Sequence, residues 1–255
     1  MKSVTIKHVT LGSGIPKICA PLVSENWQRL QSEAASLSNL PIDIAEWRGD
    51  RYPDILKKDC ISKVLPLLRQ TLGELPLIFT FRTAQEGGSQ TASPSSYRSL
   101  LEEAICSGYI DAVDIELFSG EHTLKKLIPL AHQHHVKVIL SNHDFNSTPC
   151  QRELVKRLHQ MESLGGDIAK IAVMPKKEED VLTLLSATLT ARRSLSCPII
   201  TMSMNGIGLV SRLSGEVFGS CLTFGSIKEA SAPGQISVSE LKEVLEMIHK
   251  SHPLL

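Results

Sequence analysis

Aromatic residues are scarce in this chain of 255 residues, since phenylalanine, tryptophan and tyrosine together make up only 4% of it. An excess of charge of either sign is also missing, because 27 basic residues balance 27 acidic ones. A nucleic-acid-binding surface needs excess positive charge or aromatic platforms on which bases stack, so we expect no nucleic-acid partner. Since no apolar run approaches the length of a membrane span, we expect no membrane partner either.

The cysteines are few and show no C-x-x-C pair. A disulfide framework is not expected in a chain of this length, and dispersed thiols are typical of a reducing compartment. The first seven residues alternate polar and apolar side chains and lack the apolar core of a signal peptide. We therefore expect a cytoplasmic protein. The six cysteines are Cys19, Cys60, Cys106, Cys150, Cys197 and Cys221.

Eight short apolar runs recur along the chain, separated by segments of helix length. Eight strand–helix units within about 250 residues predict one (β/α)8 TIM barrel that occupies residues 1–255 as a single domain. A doubly wound open sheet is the structural alternative. The residues that precede the first run are expected to form a short N-terminal extension that closes the bottom of the barrel. The runs span residues 18–23, 42–48, 77–82, 112–117, 136–142, 167–173, 198–204 and 220–224.

A lysine lies in the middle of one of these apolar runs. Lys170 belongs to the sixth run, and the fifth run ends directly at His143. An amine in an apolar slot has its charged form destabilised and becomes a nucleophile, and a histidine beside it can carry protons. The pattern predicts covalent carbonyl chemistry through an imine. An inert lysine that snorkels from an edge strand is the structural alternative.

Further polar residues occur at the carboxyl ends of the predicted strands, where barrel enzymes place their chemistry. Taken singly, each could be a member of an ion pair at the barrel rim or an ordinary surface residue. Random surface polarity would fall equally at the strand starts, so their convergence on one rim favours a functional site. These residues are Glu46, Arg48, Arg82, Glu86, Glu116, Arg212, Ser231 and Gln235.

Three other signals have structural interpretations. The run His132-Gln133-His134-His135 resembles a metal cluster, but it precedes the fifth strand and so lies at the opposite end of the barrel. The segment 205–211 is a poor match to a glycine-rich phosphate loop. Gly87 and Gly88 are expected to form a tight turn. We therefore expect no metal, and a carboxylate suits the two arginines and the polar loop as well as a phosphate does.

In these motifs the sequence resembles the type I 3-dehydroquinase family, also called type I 3-dehydroquinate dehydratase. The resemblance covers nearly the whole chain, and the motifs follow one another in the order found in the family. It rests on Glu46-Trp47-Arg48, on Asp114-Ile115-Glu116-Leu117-Phe118, on Ser141-Asn142-His143-Asp144-Phe145 and on the segments 79–88, 168–172, 211–220 and 231–235.

The resemblance implies a lyase of the shikimate pathway of aromatic amino-acid biosynthesis, a homodimer that needs no metal and no organic cofactor. It would dehydrate 3-dehydroquinate to 3-dehydroshikimate through an imine. Lys170 corresponds to the imine-forming lysine, His143 to the general acid/base and Glu86 to the carboxylate that orients this histidine. Arg212 corresponds to the arginine that binds the substrate carboxylate. The other substrate-binding positions correspond to Glu46, Arg48, Arg82, Ser231 and Gln235.

The sequence departs from the family at the end of the first strand. Some members have a serine there that touches substrate, where this chain has Pro21, with Ser24 nearby. Two other functions stay open: a class I aldolase-type Schiff-base enzyme, and a catalytically inactive barrel that serves as a binding module. A sugar-phosphate aldolase would need a phosphate site. An inactive barrel would be expected to have lost Lys170, His143 or Arg212.

Overall fold

The computed structural model describes residues 3–227 and 235–251, and within them the strands form a hairpin and a barrel. The hairpin strands are Val4–Ile6 (β1) and Val9–Leu11 (β2). The barrel strands are Lys17–Leu22 (β3), Ile44–Arg48 (β4), Leu77–Thr80 (β5), Ala112–Glu116 (β6), Lys137–Asp144 (β7), Ile168–Val173 (β8), Ile199–Ser203 (β9) and Leu222–Phe224 (β10).

The eight barrel strands are parallel and lie in the order β10-β3-β4-β5-β6-β7-β8-β9. The first and last of them, β3 and β10, are therefore hydrogen-bonded neighbours. The remaining gap is bridged where the backbone N–H of Cys221 donates to the carbonyl oxygen of Ile199 at 2.9 Å. The predicted (β/α)8 TIM barrel is confirmed, and the doubly wound open sheet is wrong, because an open sheet leaves both outer strands unpaired.

Helices cover the outside of the barrel. Their apolar faces repeat with the helical period; Leu154, Leu158 and Met161 are the buried residues of the fifth helix. The helices are Trp27–Ser36 (α1), Cys60–Leu72 (α2), Pro94–Cys106 (α3), Glu121–Gln133 (α4), Gln151–Ser163 (α5), Glu178–Ser194 (α6), Leu209–Leu213 (α7), Gly215–Phe218 (α8) and Val238–Ser251 (α9).

Successive side chains of each strand point to opposite faces, so the barrel has one apolar core between strands and helices and another in its interior. In β8, Ala169 and Ile171 pack outward against the helices, whereas Ile168 and Ala172 belong to the cluster inside the barrel. Lys170 lies between these last two residues on the same alternating face and is buried. Its side chain therefore points into the barrel.

The N-terminal hairpin closes the bottom of the barrel. Ile6, Val9 and Leu11 are buried in the same apolar cluster as Cys19 and other inward-facing side chains of the strands. Residues 6 and 9 flank a tight turn in which Lys7 has a positive φ of 52°. The expected N-terminal closure is confirmed. Among the described residues, no helix is both long and apolar enough to cross a membrane.

Leu11 provides a test of this closure, because its side chain is fully buried at the bottom of the barrel. Leu11→Ala should lower the free energy of unfolding by about 2–5 kcal/mol, through lost apolar burial and the cavity left behind. Chemical denaturation followed by circular dichroism measures the change. Thr5→Ala, on an exposed position of the same hairpin, should change it by less than about 0.5 kcal/mol. Equal effects of the two substitutions would contradict the role of the hairpin as a plug.

Candidate active site

One cavity opens at the carboxyl ends of the barrel strands, and its volume of about 160 Å³ suits a small molecule rather than a polymer. The structure brings together every predicted catalytic and binding residue that it describes. Ser231, also predicted to bind substrate, lies outside the described residues. The predicted residues that line the cavity are Glu46, Arg48, Arg82, Glu86, His143, Lys170, Arg212 and Gln235.

Lys170 is buried among charged groups rather than in an apolar slot. Its Nζ donates to Oδ2 of Asp114 at 3.0 Å and lies 3.6 Å from Oε1 of Glu46. On another side the ring centroid of Phe224 is 4.6 Å from Nζ, a cation–π distance. The expectation of an apolar environment is wrong, because strands β4 and β6 each direct a carboxylate across the barrel interior at the amine. These contacts hold Nζ at the cavity, and an unprotonated amine is the form that attacks a carbonyl.

Arg82 is the centre of the buried charge network. Its Nη2 donates to Oδ1 of Asp114 at 2.7 Å, and its Nη1 donates to Oε1 of Glu116 at 3.1 Å. Nη1 also lies 3.0 Å from the Ser141 hydroxyl and 3.5 Å from Oε2 of Glu86. With its guanidinium committed to protein partners, Arg82 holds several carboxylates in place. Glu116, predicted at this rim, lies within the network but not on the cavity surface.

Glu86 and His143 form a hydrogen-bonded pair at the cavity wall. Oε2 of Glu86 accepts from the backbone N–H of His143 at 2.9 Å and lies 3.1 Å from His143 Nδ1. When Glu86 is ionised, Nδ1 carries the proton that it donates to the carboxylate, and Nε2 is left as the basic nitrogen. His143 is the seventh residue of β7 and not, as the sequence indicated, a residue that follows the strand.

The glycine turn predicted at Gly87 and Gly88 positions Glu86. Gly87 has a φ of +83°, and a Cβ there would lie 2.2 Å from the Phe145 ring. A Cβ on Gly88 would lie 1.8 Å from the carbonyl oxygen of Arg82. Only glycine allows this close approach. The turn therefore brings the carboxylate of Glu86, on a short 3-10 turn after β5, against the end of β7.

Burial and charge together set the protonation of the site. Burial raises the pKa of Glu86 to about 7, although Arg82 opposes the rise. Burial also lowers the pKa of His143 well below its usual range, and the positive charges of Arg82 and Lys170 act in the same direction. For Asp114 burial would raise the pKa, but Arg82 and Lys170 outweigh it and hold the pKa well below its usual range. The resulting site holds a neutral imidazole beside a permanently ionised Asp114.

Arg48 is held by a bidentate ion pair. Its Nε and Nη2 donate to the two carboxylate oxygens of Asp50 at 2.8 and 2.9 Å. Asp50 also accepts from the backbone N–H groups of Arg82 and Ser89. Burial would raise the pKa of Asp50, but the hydrogen bonds from Arg48 lower it below its usual value. This carboxylate fixes the position of Arg48 at the cavity.

Arg212 lines the cavity from the short helix α7, which follows β9. It is 3% exposed, and its Nη1 lies 3.6 Å from Sδ of Met202. Burial lowers the pKa of Arg212 to about 10, so the guanidinium stays charged at neutral pH. A buried cation at the cavity surface is suited to an anionic ligand group.

The histidine run that the sequence discounted as a metal cluster lies away from the cavity. His132 contacts Asp167 and His134 contacts Cys106, near the strand starts. No group of three or more metal-binding side chains occurs in the described ranges 3–227 and 235–251. The Ser24 hydroxyl donates to Glu33 on α1 at 2.7 Å, so it does not replace the serine absent at Pro21.

Sequence reasoning missed several residues of the site. Asp114 was read only as part of a motif, although it lies two residues before Glu116 and so shares its inward face. Asp50 carried no signal, because its role depends on hydrogen bonds that the turns create. The apolar part of the cavity lining was also missed, since apolar residues near strand ends look like ordinary core. It consists of Phe145, Ala172, Met202, Met204 and Phe224.

Comparisons with known proteins agree with this geometry. The model of the type I 3-dehydroquinase family matches residues 18–252. The chain is 50% identical to the 3-dehydroquinate dehydratase of Listeria welshimeri over 98% of this chain and 99% of that protein. It is 51% identical to the 3-dehydroquinate dehydratase of Bacillus licheniformis, with the same two coverages. The crystal structure of type I 3-dehydroquinate dehydratase from Clostridium difficile superposes with a TM-score of 0.96 at 47% identity, and the match covers 98% of this chain and all of that one.

Asp114 provides a test of the charge network, because it contacts both Arg82 and Lys170 in the buried site. Asp114→Asn should lower the free energy of unfolding at pH 7 by about 3–5 kcal/mol, since it leaves two buried cations without their shared carboxylate. Urea denaturation measures the loss. Asp54→Asn removes an exposed ion pair with Lys57 and should cost less than about 1 kcal/mol. An Asp114→Asn protein as stable as the Asp54→Asn protein would show that this carboxylate is not needed for charge balance.

Proposed function

The chain belongs to the type I 3-dehydroquinase family, and on that premise we propose that Lys170 forms an imine with the substrate in the cavity described above. The enzyme is a hydro-lyase of the shikimate pathway that dehydrates 3-dehydroquinate. The two alternative functions, an aldolase-type enzyme and an inactive barrel that serves as a binding module, are therefore wrong. The roles of the individual residues are our proposal.

One observation carries the proposal: a buried lysine, a neutral histidine and a buried arginine border the same small cavity. An imine-forming enzyme needs an amine, a group that moves protons, and a group that orients the substrate. Lys170 is suited to be the amine, His143 to move protons and Arg212 to orient the substrate. The Clostridium difficile relative is described with covalently modified comenic acid, which agrees with covalent chemistry at such a site.

The first stage is imine formation. His143 takes one proton from Lys170, and the free amine then attacks the C3 ketone of 3-dehydroquinate through Nζ. His143 moves the protons that convert the resulting carbinolamine into an iminium and release one water molecule. The ionised Glu86 keeps the proton of the imidazole on Nδ1, so that Nε2 is the nitrogen that exchanges protons with the substrate.

The second stage is the elimination. The iminium withdraws electrons from C2, so His143 can remove a C2 proton and leave an enamine. The enamine then expels the C1 hydroxyl, which takes a proton from the imidazolium and leaves as water. Hydrolysis of the product iminium returns Lys170 and releases 3-dehydroshikimate. The imine thus replaces one difficult elimination with several easier steps.

The remaining assignments concern substrate binding. We assign the substrate carboxylate to Arg212, because a buried cation favours a charged partner. Glu46, Arg48 and Arg82 would hold ring hydroxyls or shape the cavity. Gln235, which lines the cavity, and Ser231 would also contact the substrate. The mechanism needs no metal ion and no organic cofactor. From the family resemblance and the free cysteines we further propose a cytoplasmic homodimer.

Lys170→Ala should abolish both turnover and covalent trapping. Incubation of the native protein with 3-dehydroquinate should produce the absorbance of a conjugated enone, and borohydride should then fix an adduct on Lys170 that mass spectrometry detects. Lys242→Ala, on the exposed face of α9, should keep both properties. His143→Ala should lower turnover by about 10²- to 10⁴-fold and still allow trapping. A borohydride adduct in Lys170→Ala would refute the assignment of the amine.

Arg212→Met should weaken substrate binding, because the substrate carboxylate loses its cationic partner. We expect kcat/KM to fall by about 10- to 100-fold, because a hydrogen bond to a charged group contributes about that much to binding. Much of the change should appear in KM. Steady-state kinetics measure the two constants, and circular dichroism verifies folding. Arg193→Met removes an exposed arginine from α6 and should leave kcat/KM unchanged. An unchanged KM in folded Arg212→Met would place the carboxylate elsewhere.

A further inference from the structure

We propose that Arg157 is a positioning residue for the reaction: it fixes the orientation of the Asn142 amide, which in turn keeps Glu86 as a hydrogen-bond acceptor toward His143. Arg157 lies on α5, outside the barrel, and does not line the cavity. The inference rests on the proposed roles of His143 and Glu86. It adds a side chain that acts on these two residues from outside the cavity.

The guanidinium of Arg157 is held in place by three contacts. Its Nη1 donates to Oδ1 of Asn142 at 2.8 Å, and its Nε donates to Oε1 of Glu153, one helical turn away, at 3.0 Å. Its Cζ lies 5.5 Å from the ring centroid of Phe118, whose side chain is otherwise exposed. These contacts restrict the guanidinium to one direction, toward the end of β7.

An arginine can only donate hydrogen bonds, and this property determines the orientation of Asn142. The amide group must turn its oxygen toward Arg157, so its NH2 group must point away. In the structure Nδ2 of Asn142 donates to Oε1 of Glu86 at 3.1 Å. Without Arg157 the amide could rotate by 180° and turn its oxygen toward Oε1 of Glu86, which would remove a hydrogen-bond donor from the ionised carboxylate. Arg157 excludes that alternative.

A fixed NH2 donor favours the ionised form of Glu86. The groups that face this carboxylate are Arg82 at 3.5 Å, the backbone N–H and Nδ1 of His143, the Asn142 amide, and the negative charge of Glu116 nearby. Burial raises the pKa of Glu86 to about 7, so the two protonation states are close in free energy near neutral pH. One hydrogen bond from a fixed donor can therefore decide which state dominates.

The state of Glu86 determines which nitrogen of His143 is basic. An ionised Glu86 accepts from Nδ1–H, which leaves the lone pair on Nε2. If Glu86 were protonated on Oε2, it would donate to Nδ1. The proton of the neutral imidazole would then be on Nε2, and this nitrogen could not act as the base. A series of hydrogen bonds thus links an arginine on the outer helix to the base, in the order Arg157, Asn142, Glu86 and His143. Each contact fixes the direction of the next donor.

The test is the pH dependence of kcat. Arg157→Met should move the acidic limb of the profile to higher pH by about 0.5 to 1 unit, since Glu86 loses its fixed hydrogen-bond donor. At one unit below the native midpoint, kcat should then fall by about 3- to 9-fold relative to the native enzyme. Arg157→Lys, another donor-only cation, should restore much of the native profile. Arg152→Met removes an exposed arginine from the same helix and should leave the limb in place.

A double-mutant cycle separates this role from simple destabilisation. If the effect passes through Asn142, Arg157→Met should cause little further shift in an Asn142→Ala background. Arg157→Gln is a second variant for use if Arg157→Met does not fold, and it should shift the limb in the same direction because glutamine can also accept. A uniform fall in kcat at every pH, with the limb unmoved, would overturn the inference. If borohydride fixed no adduct on the native protein, the proposed function itself would be refuted. Failure of the Arg157 inference can therefore be distinguished from failure of the proposed function.

Discussion

The site depends on the mutual neutralisation of buried charges. Arg48, Arg82 and Lys170 are withdrawn from water around one cavity, and an unpaired cation at such a depth would be costly. Asp114 contacts two of the three, and Asp50 holds the third. The pairing fixes geometry as well as charge, because each cation is tied to a carboxylate on a rigid strand or an adjoining turn. Reactive groups can therefore stay in place before a ligand arrives.

The barrel topology makes this neutralisation possible. Parallel strands end at the same rim, and the period of two turns alternate side chains of every strand inward. Glu46 from β4, Asp114 from β6 and Lys170 from β8 thus meet inside the barrel although they are far apart in sequence. The turn after β5 adds Glu86. The substrate cavity is lined by ends of regular elements and short turns, and this explains how one lysine can face two carboxylates at defined distances.

Local patterns were sufficient to predict the architecture and most of the charged residues that line the cavity. The eight apolar runs correspond to the eight barrel strands, and the lysine of the sixth run lies on β8. The electrostatic surroundings of Lys170 could not be predicted in the same way, since Asp114 and Glu46 reach it only after the barrel closes. The link from Arg157 through Asn142 to Glu86 could not be predicted either, because two side-chain contacts join an outer helix, a strand and the turn after β5. Such contacts depend on rotamers and packing, which the sequence pattern does not encode.

The inward-facing thiols have a consequence for the chemical durability of the enzyme. Cys19 and Cys221 lie inside the barrel, and burial raises the pKa of Cys19 well above its usual value and that of Cys221 to about 12. Conjugated enones such as 3-dehydroshikimate alkylate thiolates, not protonated thiols. At neutral pH both sulfurs remain protonated. The interior that carries the imine chemistry is therefore resistant to self-inactivation by its own electrophilic product.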